Sequence, residues 1–316
     1  MIKCIILAGG FATRLWPLTE NKAKPLLHLK DRPMISHIVE GLPKHLPIVI
    51  STNAAFENDF KIWAQGYPDR SIQVFVEDSQ DDQGKKGALA ATAMVIEAFA
   101  MHEDLLLIAG DNYFGFKLTE FIDQFQNRPL LAAYDIQQLT AAKKFGVVVE
   151  REGRVIEFQE KPAEPKSTLV STGCYLFPQR NLRDIVEYSK THHDNLGGIF
   201  EHLLTVEDRI DVFSFREHWY DVGSFEGYIN ANKELLNQAV VRAGTVLETG
   251  SNELIGSVYL GDHSRIENCV IEDSVILGGN KLVNCVIRHC IIDENCQLNG
   301  VDLSHKMIRQ GSHILK

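Results

Sequence analysis

Residues 3–29 read KCIILAGGFATRLWPLTENKAKPLLHL, and the way this stretch breaks decides how the rest of the chain is read. Ile5, Ile6 and Leu7 form a short apolar run, the pattern of a strand buried on both faces. The run stops at Ala8-Gly9-Gly10. Two missing Cβ atoms let such a loop approach a ligand and aim backbone N–H groups at anionic oxygens. Thr13 and Arg14 follow at the start of a short turn. Lys24 then stands before Pro25, where β or polyproline geometry is favoured, so an extended segment carries a second cation. Strand, glycine loop, Arg and Lys-Pro together suit a triphosphate or pyrophosphate. The loop is neither a G-x-G-x-x-G dinucleotide fingerprint nor a Walker loop, and a Gly-Gly pair alone marks only a turn.

Outward from this stretch the pattern alternates. Pro33 opens a helix over 34–42, a buried strand follows at 47–52, then a helix over 54–65 and a strand at 72–76. Alternation at this spacing predicts a doubly wound, mainly parallel α/β sheet of Rossmann type, whose ligands lie at the carboxyl ends of the strands. Glu77-Asp78-Ser79 falls just past one such end. Gly87 begins a helix expected to turn Ala90, Met94, Val95 and Ala98 inward. Lys85-Lys86 is either a solvated loop tip or a steering charge for an anion. The strand at 105–108 ends at Ala109-Gly110-Asp111-Asn112, where the carboxylate either binds a hard divalent cation or makes a local turn or cap.

After a helix at 118–125 and a strand at 130–135 come hairpins. Strands at 145–149 and 155–159 flank Glu152-Gly153, a turn signal. Glu160-Lys161-Pro162 again sets a lysine before a proline, and Ser171-Thr172-Gly173-Cys174-Tyr175 starts or crosses another strand. A strand at 210–215 leads to Trp219-Tyr220-Asp221-Val222-Gly223. Ser224 caps the next helix, which Asp221 could equally cap.

From about Val240 the helical periodicity ends. Aliphatic residues recur at 260, 266, 271, 276, 282, 287, 292, 298, 303 and 308, in intervals of 6, 5 and 5, so that Leu260, Ile276, Ile292 and Ile308 lie 16 residues apart. This period marks a solenoid with three short sides per coil, a parallel β-helix, with Asn268-Cys269, Asn284-Cys285 and Asn295-Cys296 at turns or stacked small positions. The expected division is 1–238 for the α/β domain and 239–316 for the β-helix.

Composition limits the alternatives. The chain has 316 residues, 45% hydrophobic and 23% charged, ordinary for a globular protein with an ample core. No apolar run is long enough to span a bilayer and no signal-peptide pattern opens the sequence, so a cytoplasmic location is expected. Six cysteines without a C-x-x-C pair read as reduced, packed thiols. Twelve histidines without an H-x-x-x-H pair argue against zinc. A net charge of −10 argues against nucleic acid, though a local cation cluster can still hold an anionic ligand.

The combination L-A-G-G-x-x-T-R-L-x-P-L-T followed by K-P-L-L closely resembles the sugar-1-phosphate nucleotidylyltransferases, the NDP-sugar pyrophosphorylases. The resemblance implies that Leu7, Ala8, Gly9 and Gly10 line the nucleotide, and that Arg14 and Lys24 hold the departing pyrophosphate. It places the base near Asp78 and Gly87, although Gly84-Lys85-Lys86-Gly87-Ala88-Leu89 departs from the G-T-A-G-A-L form. A carboxylate such as Asp78 only accepts hydrogen bonds and would favour a base presenting N–H groups, such as guanine. By the same resemblance Gly146, Glu160, Lys161, Thr172 and Gly173 surround the sugar and its phosphate, and Asp111 and Asp221 bind Mg²⁺. The implied substrates are an NTP and a sugar 1-phosphate, with base and sugar left open. The tail resembles the left-handed β-helices of several members and is expected to assemble a homo-oligomer while adding little to the chemistry. Two other readings are a non-catalytic regulatory subunit and an acyltransferase site on the β-helix, for which four coils are short.

Overall fold

The computed structural model describes residues 1–77, 86–206, 209–236, 238–248 and 250–316. These form two compact units, one of Met1–Phe11 with Met34–Asp221, the other of Ala12–Pro33 with Val222–Lys316.

The first unit is built on a nine-stranded sheet of β1 (Ile2–Leu7), β2 (Ile48–Asn53), β3 (Ile72–Glu77), β4 (Asp104–Ala109), β5 (Leu130–Asp135), β6 (Gly146–Arg151), β7 (Arg154–Glu160), β8 (Leu169–Phe177) and β9 (Asp211–Phe215), in the order β3-β2-β1-β4-β8-β5-β9-β7-β6. From β3 to β4 every pairing is parallel, as the alternation requires. Beyond it β8 enters antiparallel between β4 and β5, and the β6–β7 hairpin closes the far edge. Its turn is Glu152-Gly153 with φ of 54° and 72°, the two left-handed residues of a tight hairpin.

Burial follows the apolar runs: Ile5 and Ile6 of β1 and Leu105 to Ile108 of β4 are buried, and all six residues of β2 are buried, including Ser51, Thr52 and Asn53 at its carboxyl end. The helix Ala88–Ala98 turns Leu89, Ala91, Thr92, Ala93, Val95 and Ile96 inward. Of the four residues expected inward only Val95 is buried, and Ala98 is exposed. The reason is that this helix contacts both the sheet and the helix Leu182–Ser189, which widens and rotates its apolar face.

In the second unit the tail is a left-handed parallel β-helix with in-register coils. Leu260, Ile276, Ile292 and Ile308 stack on one face, Ile266, Leu282, Leu298 and Ile314 on the second, Ile271, Ile287 and Leu303 on the third. Asn268, Asn284 and Asn295 are at corners with φ of 52°, 52° and 59°, a region Asn tolerates better than most residues. His263, Asp273 and Gly279 are further left-handed corners, and the buried residue after each of them accepts a backbone N–H from the next coil. Asn280 N donates to Ser264 Oγ (3.2 Å), Cys296 N to Asn280 Oδ1 (2.7 Å) and Cys290 N to Ser274 Oγ (3.0 Å). A buried sulfur does the same work more weakly, Cys285 N donating to Cys269 Sγ at 3.4 Å. All six cysteines are buried free thiols. The helix Phe225–Leu236 joins this unit, its first turn capped by Ser224 Oγ accepting from Gly227 N at 3.1 Å.

Candidate active site

In the first unit the glycine loop leaves β1 between two parallel neighbours. Leu7 pairs with Ser51 of β2 and with Ala109 of β4. Ala8 N donates to Ser51 O at 2.7 Å, and Gly110 N donates to Leu7 O at 2.8 Å, so the turn bearing Asp111 is tied to the start of the loop. The loop is also held from the carboxyl ends of β2 and β3. Asn53 Nδ2 donates to Gly9 O (2.9 Å), while Asn53 Oδ1 accepts from Phe56 N (3.2 Å) and caps the next turn. Ser51 Oγ donates to Glu77 Oε1 at 3.0 Å. That same carboxylate oxygen would lie 2.8 Å from a Cβ on Gly9, so any larger residue there would have to push the Glu77 carboxylate off its Ser51 partner.

Asp111 is not a helix cap, since a strand, Asn112–Phe114, follows it and pairs antiparallel with Trp219–Asp221. In that ribbon Asp221 lies opposite Asn112. Buried Asn112 holds Asp111 and ties it to the partner strand: its Nδ2 donates to Asp111 Oδ1 (2.9 Å) and its Oδ1 accepts the Trp219 indole N–H (2.9 Å). Among the described residues no cluster of three or more His, Cys, Asp or Glu is assembled for a metal. The carboxylates of Asp111 and Asp221 are oxygen donors of the kind a hard divalent cation takes, with its remaining ligands left to water.

The pairing of β8 to β5 slips between Ser171 and Tyr175, and Thr172 and Gly173 occupy the slip. Gly173 has a φ of 76° and abuts Ala109 at the end of β4, which brings it to the Asp111 turn. Thr172 Oγ1 donates to Ala132 O at 2.9 Å, leaving its lone pairs for any other partner. Gly146 pairs with Glu160 across the hairpin. Lys161 does not continue the strand: its φ is 43°, its N donates to Phe145 O (3.2 Å), and its Nζ lies 3.5 Å from Glu160 Oε1 with the side chain 65% exposed. The proline after it thus follows a left-handed residue and not an extended one, because the Phe145 carbonyl captures the lysine N–H as the hairpin ends.

Gly87 precedes the helix Ala88–Ala98 with φ 89°, and a Cβ there would meet the His193 carbonyl oxygen at 2.5 Å. That carbonyl accepts from Leu89 N and Ala90 N, and Asp194 Oδ1 accepts from Ala88 N, so the first helical N–H groups have protein partners. Asp78 and Lys85 lie outside the described residues.

Arg14 and Lys24 belong to the second unit. Arg14 is in the 3₁₀ turn Thr13–Leu15, after Ala12 with φ 47°, and Thr19 Oγ1 donates to Ala12 O at 2.9 Å across the base of that loop. Lys24 is buried and opens the 3₁₀ turn Lys24–Leu26. The extended residue is Ala23, not Lys24 as its place before Pro25 suggests. The hydrogen bonds Leu26 N to Ala23 O and Leu27 N to Lys24 O outweigh the pre-proline preference.

Burial raises the pKa of Glu77 above the usual carboxylate range, opposed by Ser51 and Lys86. Burial raises that of Glu160 too, opposed by adjacent Lys161. The sequence did not single out Ser51 or Asn53, and it set Glu77 and Asn112 only beside Asp78 and Asp111, with Glu77 placed past the strand that it in fact ends. Their signal was present: polar residues closing apolar strands, S-T-N after PIVI and E after VFV, where an exposed strand end would be the ordinary reading.

The nucleotidyl transferase family model matches residues 3–238. A Sulfolobus acidocaldarius protein described as a mannose-1-phosphate guanyltransferase is 25% identical over 288 residues, covering 87% of this chain and 76% of its own. A glucose-1-phosphate adenylyltransferase from Thermosipho melanesiensis is 27% identical over 305 residues, covering 88% and 73%. A Bacillus anthracis crystal structure described as a glucose-1-phosphate thymidylyltransferase, in complex with sucrose, superposes with a TM-score of 0.66 at 25% identity, covering 77% of this chain and 98% of its own.

Proposed function

Because the chain belongs to the nucleotidyl transferase family, we propose that it is the enzyme that converts an NTP and a sugar 1-phosphate into an NDP-sugar and pyrophosphate. The observation that carries this reading is the Gly110 N to Leu7 O hydrogen bond, which sets the Asp111 turn beside the start of the glycine loop. A nucleotide-binding backbone and a carboxylate for a phosphate-bound cation are thereby neighbours.

In this reading the sugar phosphate oxygen attacks the α-phosphorus in line. That oxygen is already ionised at neutral pH and needs no general base, so catalysis rests on positioning and charge neutralisation. Leu7 to Gly10 hold the nucleotide, with Gly87 and Asp78 towards the base. Arg14 takes up charge developing on the leaving pyrophosphate and Lys24 anchors it. Lys161 orients the attacking phosphate, with Gly146, Glu160, Thr172 and Gly173 around the sugar. Asp111 and Asp221 would hold Mg²⁺, which supplies neutralisation of phosphate charge. Residues 1–238 then form the catalytic part and 239–316 the β-helix. Among the described residues no helix is long and apolar enough to cross a membrane, and we place the protein in the cytoplasm. Val241, Val246 and Leu247, exposed on the first coil, support a homo-oligomer formed through the β-helix.

The test is pyrophosphate release by the full chain over a panel of NTPs and sugar 1-phosphates. One pair is expected to dominate. No release from any pair, with nucleotide sugar still bound, is the outcome of a non-catalytic binding protein.

A further inference from the structure

Segment 12–33 carries Arg14 and Lys24, yet it folds with the coils. Four attachments fix it. The Arg309 guanidinium donates to Glu20, and Lys22 Nζ donates to Glu294 Oε1 at 2.6 Å. The Tyr228 hydroxyl donates to His28 O, and Lys30 N donates to Asn232 Oδ1 at 2.8 Å, with the His28 ring edge-on to Tyr259 at 6.0 Å. Glu294 and Arg309 are on successive coils, and Gly311 N donates to Glu294 O at 2.9 Å, which binds the Glu294 corner to the coil that carries Arg309.

The spacing of these attachments matters. Lys24 lies between the Lys22 and His28 anchors. Arg14 lies in a loop whose two ends are drawn together by the Thr19 to Ala12 hydrogen bond, next to the Glu20 anchor. Both cations are therefore on short arcs between fixed points. The segment (12 to 33) also buries Leu15, Leu18, Leu27 and Leu29, so what the polar anchors add is the exact placement of these arcs, which the ligand would otherwise have to fix at a cost to affinity. We infer that Glu294 and Arg309 of the β-helix are positioning residues for pyrophosphate, holding the segment that presents Arg14 and Lys24. The inference rests on the proposed role of those two cations. It also assigns the tail a part in the reaction, where the sequence suggested assembly alone.

The partners are half-exposed side chains, and one such pair contributes little to global stability. Their loss is accordingly expected in ligand affinity more than in folding. The experiment is calorimetric titration of the full-length protein with inorganic pyrophosphate and Mg²⁺. Four proteins are compared with wild type: Arg14→Ala, Lys24→Ala, the double variant Glu294→Gln/Arg309→Gln, and the charge exchange Lys22→Glu/Glu294→Lys.

Arg14→Ala and Lys24→Ala are expected to weaken binding by tenfold or more each, as loss of a charge-assisted contact does. The Glu294→Gln/Arg309→Gln double variant is expected to weaken it about three- to tenfold, with the melting temperature within about two degrees of wild type and the KM for sugar 1-phosphate within about twofold. The charge exchange should restore wild-type affinity to within about twofold, which a merely structural effect of the Glu294 change would not do. Unchanged binding in Arg14→Ala and Lys24→Ala would sink the reading of the loop. Weakened binding there, with wild-type affinity in the Glu294→Gln/Arg309→Gln protein or no restoration by the exchange, would overturn the positioning role alone. If the double variant folds poorly, Glu294→Gln and Arg309→Gln are titrated singly, each with about half the effect on a logarithmic scale.

Discussion

Buried polar side chains occur in both the sheet and the β-helix, but they serve different ends. In the coils Ser264, Ser274 and Asn280 each accept a backbone N–H sixteen residues further along, so one coil satisfies the next. In the first unit Ser51 and Asn53 at the end of β2, and Asn112 at the start of the ribbon strand, hold a glycine loop and the carboxylates of Glu77 and Asp111. The first set is periodic and closes on itself. The second is aperiodic and borders the loop proposed to hold the nucleotide. Burial of a polar group is thus no sign of function until its partners are known.

The largest effect separating the two regions is expected at the carboxylates. Asp111→Asn or Asp221→Asn should lower kcat by about three orders of magnitude or more, since a neutral amide is a poor ligand for a hard cation. Melting temperature should stay close to wild type, and excess Mg²⁺ should recover part of the rate. Full activity in the presence of chelator would remove the metal from the account.

A change of comparable free energy but opposite readout belongs to the coils. Leu282 is fully buried between Ile266 and Leu298. Leu282→Ala is expected to cost about 2–5 kcal/mol of stability in denaturant titration, through lost transfer energy and the cavity left behind. A loss below about 1 kcal/mol would mean that the stack repacks freely.

Asparagine at the two kinds of site gives a closer contrast. Asn280→Ala removes the acceptor of Cys296 N and a donor to Leu277 O, so it should destabilise by about 1–3 kcal/mol and leave kcat/KM of the folded protein within about twofold. Asn53→Ala removes the hold on Gly9 O and should lower kcat/KM about tenfold as well. Equal kinetic effects from the two would erase the distinction drawn above.

The smallest expected effect is a pH dependence. Glu77 has a folded pKa raised by burial, so its contribution to stability is fully present below the unfolded value of about 4.3 and is lost as pH rises through the folded value. Glu77→Gln cannot ionise. Wild type should therefore lose stability relative to Glu77→Gln as pH rises from about 4 towards neutrality, measured as the difference in melting temperature. A constant difference over that range would show that Glu77 titrates normally.

The two regions also differed in how far the sequence disclosed them. The 16-residue recurrence from Leu260 to Ile308 located the coils from Tyr259 onward, because a repeat averages out local accidents. The first coil escaped it, since Val241 pairs with Leu260 and Leu247 with Ile266 at 19 residues and Leu254 with Ile271 at 17. The parallel half of the sheet was legible from apolar runs ending in turn residues, and the family from Gly9-Gly10, Arg14 and Lys24. What was hidden depended on contacts between residues distant in sequence. Lys24 and Lys161 both precede proline and were expected to be extended, yet one opens a 3₁₀ turn and the other takes a φ of 43°, each because a nearby carbonyl claims an N–H. The Glu77–Ser51 bond spans 26 residues, and the Glu20–Arg309 pair spans 289. No local pattern signals such pairs.

Isotope labelling follows the nucleophile through one reaction. The full-length protein is incubated with Mg²⁺, the NTP that gives the highest rate and its partner sugar 1-phosphate, the latter carrying ¹⁸O in its phosphate. Products are quantified by mass spectrometry. The expected outcome is one pyrophosphate for each NDP-sugar formed, with all the ¹⁸O retained in the NDP-sugar, because the sugar phosphate oxygen is the nucleophile and no bond to the sugar breaks. Pyrophosphate free of label without NDP-sugar, or label transferred to pyrophosphate or inorganic phosphate, would contradict it.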